Sequence, residues 1–472
     1  MLPSPLERHL QLIRAFYSVI SASGCFAKAY RRELAAVYRT MIPADASVLE
    51  VGCGDGGLLD LLPNQDITGV DVAPESIELA RKTVPRGAWH VAAGEGMQLE
   101  RKFDVIILSD LLNVCYDAQD LLRKLHEVSH ADTRLLINAQ NAFWLPFLKA
   151  AEFLRLKRGQ PMNNWLSPRD VADICGLADW EPVKQWAHMA LPLPLLGLNR
   201  FVNRWLSPLV GGLCLSRFTI ARPRLQAEAR RQDVSVSIVI PARNEAGNIQ
   251  AALDRMPQFA SRLEVIFVEG GSSDNTWEEV QRVCAEGRPG LELLCLKQPG
   301  KGKGDAVRAG FTRATGDMLM ILDADLTVPP EDLPRFYNAI VSGKTDFANG
   351  SRLVYPMESQ AMQFANLVAN HFFAVAFSWV MRQRVKDTLC GTKVLSRKNY
   401  ERLVAQRAYF GEFDPFGDFD LLFGADKLGL KILDIPIHYK DRTYGSTNIH
   451  RWRHGVILLR MLLVGARRLR FI

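Results

Sequence analysis

Acidic side chains follow three short apolar segments in the second half of the chain, where β-strands are predicted to end. Glu245 follows the first segment and Glu269 the second, while Asp323 and Asp325 follow the third, residues 317–322. Because the strand-end loops of a parallel sheet gather at one edge, these carboxylates should converge on one crevice. Two carboxylates separated by one residue can hold Mg²⁺ or Mn²⁺, which bridges to phosphate oxygens. The spacing therefore predicts a metal site at Asp323 and Asp325 that would neutralise a departing diphosphate.

A segment rich in lysine and glycine precedes these two aspartates. Residues 299–305, PGKGKGD, offer backbone N–H groups and the ammonium groups of Lys301 and Lys303 near the same crevice. The segment is not a Walker A loop, because Lys303 is followed by glycine and not by the residues that such a loop requires. Lys303 is therefore a candidate contact for a phosphate-bearing ligand.

A glycine-rich turn follows a predicted strand in the first half of the chain. Directly after residues 48–51 come Gly52, Gly54, Gly56 and Gly57. Glycine is needed where a ligand must approach the backbone of a strand-to-helix turn closely. A second predicted strand ends before Asp71, and a carboxylate about 20 residues after such a turn can accept both hydroxyls of a ribose. This pattern alone fits either a dinucleotide or S-adenosylmethionine (SAM).

The segments VLEVGCGDGG and GVDVAPESIELAR resemble the first two motifs of class I SAM-dependent methyltransferases. The similarity covers residues 47–137 and implies a Rossmann-like α/β sheet with SAM as the cofactor. It also implies which residues form the cofactor pocket: Glu50, Gly52, Gly54 and Gly56 at the methionine part, and Asp71 at the ribose.

Two further positions complete the predicted first site. Many members of that family have an acid before Ala-Glu, where this chain has Ala93, so we assign adenine binding to Glu95 or to backbone groups. Asp110 follows the predicted strand 103–108 and is the candidate catalytic residue on the side of the methyl acceptor. The alternative is that Asp110 is a solvated carboxylate at a strand end. Methyl transfer itself needs mainly proximity and orientation, with a base only if the acceptor must lose a proton.

The motifs SIVIPARNE, SSDNT, GKGDAVRAG and DADL resemble family 2 glycosyltransferases of GT-A fold. Later segments, GSRLV, DTLCGTKVLSR and GDFDLLF through DRTYGSTN, are similar to the dolichyl or polyprenyl phosphate mannosyltransferase-like branch. The similarity spans residues 236–448. It implies a nucleotide-sugar donor and a lipid-phosphate or glycan acceptor.

The same resemblance assigns roles to residues of the second site. Those expected at the nucleotide-sugar are Pro241, Glu245, Glu269, Lys303, Asp323, Arg352 and Arg442. Asp325 and Asp420 are the candidate catalytic residues. A phosphate acceptor is largely ionised at neutral pH and needs no strong base, whereas a hydroxyl acceptor would need Asp420 as general base. Alternatively, Asp418 or Asp420 caps the helix that follows.

Length and local composition predict where these two domains lie. A chain of 472 residues exceeds the length at which one hydrophobic core stops growing. We expect a first domain over 1–221, a charged linker over 222–233, a second domain over 234–448 and a basic tail over 449–472. Residues 142–220 are rich in proline and are expected to form an irregular segment that either caps the first site or only packs the domains together.

Charge and hydropathy predict the surroundings of the protein. The net charge of +7 and the six arginines after residue 449, with no acids there, suit an anionic surface. Apolar residues in the tail and in the uncharged segment 359–381 favour two C-terminal amphipathic helices at a membrane interface, with packing against the core or a dimer partner as the alternative. No signal peptide is evident, so we expect a cytoplasmic protein, peripheral at the inner face of the membrane. We find no stripe of aromatic and basic residues of the kind that would indicate nucleic-acid binding.

These features together predict an α/β protein with two enzymatic domains. The second would transfer a sugar from a nucleotide-sugar, and the first would methylate a compound of the same pathway. The alternative is that the first domain binds SAM, or serves as a scaffold, without turnover. The eight cysteines are dispersed and lack the spacing of a zinc site.

Overall fold

A computed structural model of the protein describes most of the chain. The described residues are 5–17, 25–154, 164–192, 198–224, 234–354, 364–409, 418–440, 442, 444 and 451–471. They divide into two compact units, one comprising Met1–Arg224 with Phe471–Ile472 and the other Leu225–Arg470. The linker predicted over 222–233 lies mostly outside the described residues.

The first unit is built on a seven-stranded sheet. Its strands are β1 (Val48–Val51), β2 (Ile67–Asp71), β3 (Ala88–Val91), β4 (Phe103–Ser109), β5 (Ser129–Gln140), β6 (Trp180–His188) and β7 (Ser216–Pro223). They are ordered β3-β2-β1-β4-β5-β7-β6; β7 is antiparallel to both of its neighbours, β5 and β6, and the other pairings are parallel. The first five follow the 3-2-1-4-5 order of a doubly wound sheet, in which ligands bind where the strand order reverses, here between β1 and β4.

Eight helices are described in this unit. They are α1 (Pro5–Tyr17), α2 (Cys25–Met41), α3 (Gly57–Asp60), α4 (Pro74–Thr83), α5 (Ala118–Lys124), α6 (Leu145–Phe153), α7 (Pro168–Leu177) and α8 (Leu198–Trp205). Several begin as local sequence rules require, of which α4 and α7 are examples. Pro74 occupies the first turn of α4, and Ser167 with Asp170 forms a capping box on α7.

The prediction of an irregular segment over 142–220 is wrong for the residues of β6 and β7. These two strands complete the sheet beside β5. Proline made the segment look irregular, but Pro182 lies at an irregularity of the pairing on β6, the edge strand, where a missing N–H is tolerated.

The second unit also contains a seven-stranded mixed sheet. Its strands are β8 (Val236–Ala242), β9 (Leu263–Glu269), β10 (Leu291–Lys297), β11 (Met318–Ile321), β12 (Phe347–Ser351), β13 (Lys393–Ser396) and β14 (Ile432–Pro436). Their order is β10-β9-β8-β11-β13-β12-β14, and β13 is antiparallel to both neighbours. The strand order reverses between β8 and β11, which places the loops after these strands at the expected ligand crevice.

The helices of the second unit surround this sheet. Those described are α9 (Ala246–Asp254), α10 (Thr276–Glu286), α11 (Lys303–Arg313), α12 (Leu333–Val341), α13 (Phe364–Met381), α14 (Arg397–Ala405), α15 (Asp418–Lys427) and α16 (Arg451–Gly465). Within the described residues, no helix combines the length and the hydropathy needed to cross a bilayer. The predicted pair of α/β domains is confirmed.

Candidate active sites

The glycine turn of the first unit depends on backbone conformations that suit glycine. Gly52, Gly54 and Gly56 have φ angles of 77°, 53° and 73°, in the left-handed region. A Cβ atom added to Gly56 would also lie 2.5 Å from the ring of Trp89. The backbone conformation therefore requires glycine at these positions, while the contact of the turn with a cofactor stays a prediction.

Asp71 lies beside this turn at the end of β2. Its carboxylate accepts hydrogen bonds from the backbone N–H of Gly54, at 2.8 Å, and from that of Ala73, at 2.9 Å. Burial raises the pKa of the Asp71 carboxyl, and these backbone bonds oppose the rise. Asp71 thus holds the glycine turn in place. Its contact with a ribose stays a prediction.

Glu50 is the least satisfied polar group of this site. Only 2% of the residue is exposed, and its Oε2 atom has no hydrogen-bond partner among the described residues. Burial raises the pKa of Glu50 well above its usual range, while the charge of Arg31 opposes the rise. A buried acceptor without a donor is destabilising, so a cationic or N–H group of a ligand would fit this position.

Asp110 is held by residues that our sequence analysis missed. Its carboxylate accepts hydrogen bonds from the Tyr30 hydroxyl and from the Asn138 side-chain amide, each at 2.8 Å. The Tyr30 hydroxyl also lies 3.0 Å from Oγ of Ser216. Asp110 is therefore part of a half-buried polar network and not a freely solvated carboxylate, while its catalytic role remains to be tested. Glu95, the predicted adenine contact, lies half-buried in a short turn over Gly94–Gly96.

The second unit brings together five of the predicted site residues. The Lys303 ammonium lies 2.6 Å from Oδ1 of Asp323. The Arg442 guanidinium lies 2.5 Å from Oδ2 of Asp325 and 3.3 Å from Oε1 of Glu245. We call these five residues the carboxylate cluster. Its acids follow β8 and β11, where the topology places the crevice.

Gly391 is a member of this neighbourhood that sequence reasoning did not single out. A Cβ atom at Gly391 would collide with both the Asp323 carboxylate and the Lys303 ammonium. The position therefore excludes every other residue type unless this ion pair moves. Gly391 lies inside the segment DTLCGTKVLSR, which the sequence analysis used as a resemblance without giving this glycine a role.

Glu269 connects the loops that follow β8 and β9. Only 4% of Glu269 is exposed, and its Oε1 accepts a hydrogen bond from the backbone N–H of Ser272 at 2.5 Å. The Ser272 hydroxyl accepts in turn from the N–H of Asn244, at 3.1 Å, two residues after the strand that contains Pro241. Asn244 has a left-handed φ of 56°. These contacts give the predicted nucleotide loops a defined shape.

Arg352 is bound to an internal partner. Its guanidinium donates two hydrogen bonds, of 2.7 and 2.9 Å, to the carboxylate of Asp387, a residue that is 1% exposed. Burial alone would raise the pKa of Asp387, but the charge of Arg352 and these hydrogen bonds lower it. Asp387 was missed in the sequence analysis, and the predicted contact of Arg352 with the sugar or acceptor stays a prediction.

Asp420 lies in a different setting from the carboxylate cluster. Its Oδ2 accepts a hydrogen bond of 2.8 Å from Nε of Arg407. It lines a small cavity, and none of the described residues around that cavity belongs to the carboxylate cluster. The lining residues are Leu403, Gln406, Arg407, Asp420, Gly424 and Lys427. Asp420 is the third residue of α15 and so does not occupy the capping position. The proposed general-base role remains an untested prediction.

The carboxylate oxygens of the cluster are of the type that binds Mg²⁺ or Mn²⁺, but the cluster offers few of them. Two carboxylates, Asp323 and Asp325, are hard oxygen donors of the kind that Mg²⁺ and Mn²⁺ prefer. In the described part of the chain, however, no group of three or more His, Cys, Asp or Glu side chains is arranged to hold a metal ion. Substrate oxygens would therefore have to complete the coordination.

The raised pKa of Glu245 makes the stability of the protein depend on pH, which gives a first testable prediction. Burial raises its pKa from the usual 4.5 to about 6, with the charges of Asp325 and Asp323 adding to the rise and Asn248 and Arg442 opposing it. A carboxyl group whose pKa is higher in the folded state than in the unfolded state makes its full contribution to stability at pH values below the unfolded pKa. That contribution is lost as the pH rises through about 6.

We therefore expect Glu245→Gln to gain stability relative to the native protein between about pH 4.5 and about pH 6. The gain should be about 2 kcal/mol, and the two curves should run parallel above that window. Thermal or urea unfolding across this pH range measures the difference. Glu331→Gln is the control, because hydrogen bonding to Arg255 lowers the Glu331 pKa from 4.5: its stability difference from the native protein should stay constant between about pH 4.5 and about pH 6 and should change only at lower pH. Parallel curves for Glu245→Gln throughout would contradict the prediction.

Two family models match the chain, one in each half. Residues 26–187 match the family model "Methyltransferase domain", and residues 237–403 match "Glycosyl transferase family 2". The chain therefore contains a methyltransferase domain and a family 2 glycosyltransferase domain, and this prediction is confirmed.

Two relatives with curated names are each similar to just under half of the chain. The chain is 37% identical over 222 residues to a dolichol-phosphate mannosyltransferase of Pyrococcus furiosus, a match that covers 46% of this chain and 59% of that protein. It is 27% identical over 244 residues to a dolichyl-phosphate beta-glucosyltransferase of Saccharomyces cerevisiae, covering 47% and 71%. The chain thus spans less than two thirds of the length of the Pyrococcus relative.

Solved structures resemble each half of the chain weakly. A SAM-dependent methyltransferase of Thermotoga maritima is 17% identical, with a TM-score of 0.33, over 46% of this chain and 98% of that one. A glucosyl-3-phosphoglycerate synthase of Mycobacterium tuberculosis, in complex with Mn²⁺ and uridine diphosphate, is 19% identical, with a TM-score of 0.37, over 52% and 85%. Both TM-scores are low, and neither similarity supports a conclusion about function.

Proposed function

We propose that the second domain transfers a sugar from a nucleotide-sugar to the phosphate group of a membrane lipid. The carboxylate cluster carries this proposal. It combines three acids and two cations at the crevice after β8 and β11, which is the charge pattern needed to bind a diphosphate together with a divalent cation. The names of the Pyrococcus and Saccharomyces relatives, both dolichol-phosphate or dolichyl-phosphate transferases, support a lipid phosphate as the acceptor.

The acidic and the basic side chains of the cluster would have different roles in the reaction. Asp323 and Asp325 would hold Mg²⁺ or Mn²⁺, which supplies charge neutralisation for the leaving nucleoside diphosphate. Lys303 and Arg442 donate hydrogen bonds to phosphate oxygens once these replace their present carboxylate partners. The acceptor phosphate attacks the anomeric carbon as the bond to the diphosphate breaks, with inversion. An ionised phosphate needs no general base, so the position of Asp420 outside the described cluster is compatible with this acceptor.

Two helices of the second domain support a peripheral position on the membrane. Exposed apolar side chains project from α13 at Phe372, Val375 and Trp379, spaced three and four residues apart. A second set projects from α16, at Val456, Leu459 and Leu463. We call these six residues the apolar face. The spacing in each helix fits insertion into the headgroup region of a bilayer, and we propose binding at its inner face.

For the first domain we propose methyl transfer from SAM to a compound of the same pathway. The glycine turn, the unsatisfied Glu50 oxygen and the half-buried polar network around Asp110 support a cofactor pocket beside an acceptor site. The shared pathway is supported only by the presence of both domains in one chain.

A transfer assay tests the sugar reaction directly. The purified full chain is incubated with Mn²⁺ and labelled UDP-, GDP- or dTDP-sugars, with a polyprenyl phosphate as acceptor and the corresponding polyprenol as its control. We expect transfer to the phosphate with one nucleotide and none after chelation of the metal. Transfer to the polyprenol alone, or transfer that chelation leaves unchanged, would refute the proposal. Labelled SAM added to the glycosylated product then tests the shared pathway, which methylation of unrelated acceptors only would refute.

A further inference from the structure

Helix α8 of the first unit turns its polar side inward and its apolar side to solvent. Asn203 is 1% exposed, accepts a hydrogen bond of 2.8 Å from the N–H of Leu191 and donates one of 3.1 Å to the carbonyl oxygen of the same residue. One helical turn away, the Asn199 amide donates to Oε1 of Glu33 at 2.9 Å. On the other side of the helix, Phe201 is 63% exposed. A surface helix in water ordinarily has the reverse arrangement, so the outer side of α8 suits an apolar environment.

The apolar side of α8 continues onto the segments beside it. The Trp144 indole N–H donates a hydrogen bond of 2.8 Å to the carbonyl oxygen of Leu213, which joins the turn before α6 to the turn before β7. Trp205 remains 40% exposed, although its ring centre lies 5.0 Å from that of Phe471. Six exposed apolar side chains of this region, which we call the first-domain surface, are Phe143, Phe147, Leu198, Phe201, Leu206 and Leu209. A concentration of exposed apolar side chains marks an interaction site.

The segments that carry the first-domain surface are basic. Residues 189–216 contain two arginines and no acid, and residues 142–166 contain four cations and one acid, Glu152. Arg200 and Arg204 are exposed on α8, between its polar and its apolar sides. Apolar side chains flanked by cations are typical of helices that lie in a membrane interface, with the cations at the headgroups. An anionic bilayer therefore complements both the hydropathy and the charge of the surface.

The first-domain surface borders the predicted site of the methyl acceptor. Glu33, which holds α8, lies on α2 three residues after Tyr30, the residue that donates to Asp110. Ser216, whose Oγ lies 3.0 Å from the Tyr30 hydroxyl, follows Leu213 by three residues. The surface and the Asp110 network are thus held by the same helix and by the same strand start. A compound anchored in a bilayer at this surface could reach Asp110 with its polar end.

We propose that the first domain binds an anionic bilayer through the first-domain surface and takes a lipid-linked methyl acceptor from it. The binding does not depend on the apolar face of α13 and α16. The acceptor class rests on the methyl transfer proposed above. A bilayer would remove the exposed apolar side chains from water while Arg200 and Arg204 stay at the headgroups.

The test is sedimentation of the full-length protein with vesicles of phosphatidylcholine and phosphatidylglycerol. It is made in the background Val456→Gln with Leu463→Gln, which removes two side chains of the apolar face, so that binding by the first domain dominates. In that background we expect Phe201→Gln and Leu209→Gln each to weaken binding about tenfold. Arg200→Gln should weaken it about fivefold, and only when phosphatidylglycerol is present.

The matched control is Leu177→Gln. Leu177 ends α7 and is 64% exposed, as is Leu209. Helices α7 and α6 lie on opposite sides of the sheet, because Val171 of α7 belongs to one core of the first unit and Leu148 of α6 packs against the other. Leu177→Gln should therefore leave vesicle binding unchanged.

The outcomes separate this surface from the apolar face. Equal binding by Phe201→Gln, Leu209→Gln and their background would overturn the proposal and leave the apolar face intact. An equal loss in Leu177→Gln would reveal general adhesion and would overturn it too. A lower melting temperature of Phe201→Gln, with vesicle binding unchanged, would show that protein and not lipid covers the surface.

Methylation tests the acceptor class. Labelled SAM is supplied with the glycosylated polyprenyl phosphate in vesicles, or with a soluble short-chain form of it. We expect Phe201→Gln to lower the rate on the vesicle substrate about tenfold at limiting lipid and to leave the rate on the soluble form unchanged. An equal effect on both rates would overturn the proposed access from the bilayer. Methylation of neither form would refute the lipid-linked acceptor, while vesicle binding would still decide whether the surface exists.

Discussion

Asp325→Asn is expected to lower kcat/KM for sugar transfer by about 10²–10³-fold, as does the loss of one group that stabilises developing charge. Asparagine keeps the shape of the side chain and one oxygen for the hydrogen bonds that Asp325 Oδ1 now accepts from Thr327. It removes the negative charge that would hold a divalent cation. Initial rates with a nucleotide-sugar and a polyprenyl phosphate measure the effect, and Mn²⁺ binding in the presence of nucleotide gives a second readout.

The control for this variant is Asp254→Asn, which makes the same chemical change at an exposed ion pair with Arg288. Pairs of this kind contribute little to stability, so rates and thermal stability should stay close to those of the native protein. A loss of activity in Asp325→Asn with Mn²⁺ binding unchanged would show that Asp325 acts through Arg442 and not through a metal. Native activity in Asp325→Asn would remove the basis of the proposed function.

Asp71→Ala is expected to weaken SAM binding by about 100-fold. The variant removes an ionised acceptor from two backbone N–H groups, at Gly54 and Ala73, and each such hydrogen bond to a charged group is worth about 1.5–3 kcal/mol. The glycine turn would lose the contact that fixes it, in addition to any direct contact with the ribose. Titration calorimetry with SAM measures the change.

The matched control for Asp71→Ala is Asp66→Ala. Asp66 forms an ion pair with Arg101 in which both side chains are about half exposed, so SAM affinity should not change. Equal SAM affinity in Asp71→Ala and native protein would place the cofactor elsewhere. Absence of SAM binding in the native protein at millimolar ligand would instead favour the scaffolding role for the first domain.

The local parts of both sites follow from sequence because strand ends and turns are short-range features. A run of buried apolar residues predicts a parallel strand, and the polar residue after it must then lie at the sheet edge. Asp71, Glu245, Asp323 and Asp325 were located by this rule. The positive φ angles at Gly52, Gly54 and Gly56 are also a local feature, because glycine is the residue that adopts them readily in a strand-to-helix turn.

The partners of these residues could not be predicted, since they come from distant parts of the chain. Tyr30 reaches Asp110 from a helix that no motif includes. Asp387 pairs with Arg352 from 35 residues away, and Gly391 is limited by the Asp323 side chain and not by its own turn. Sequence spacing carries no information on such contacts. The strands β6 and β7 were missed for a related reason, because the pairing of β7 with β5 and of β6 with β7 overrides the local effect of proline.

The internal ion pairs of the carboxylate cluster have a consequence for how the enzyme would load its substrates. With Lys303 and Arg442 in place, the three acids present only one net negative charge to an incoming ion. A bare divalent cation therefore meets weak attraction and has to compete with two tethered cations. A nucleotide that arrived with its cation would give Lys303 and Arg442 new anionic partners and would leave the aspartates available to hold the metal. Donor and metal should enter as one complex, and occupancy should follow the supply of nucleotide-sugar and not the concentration of free magnesium.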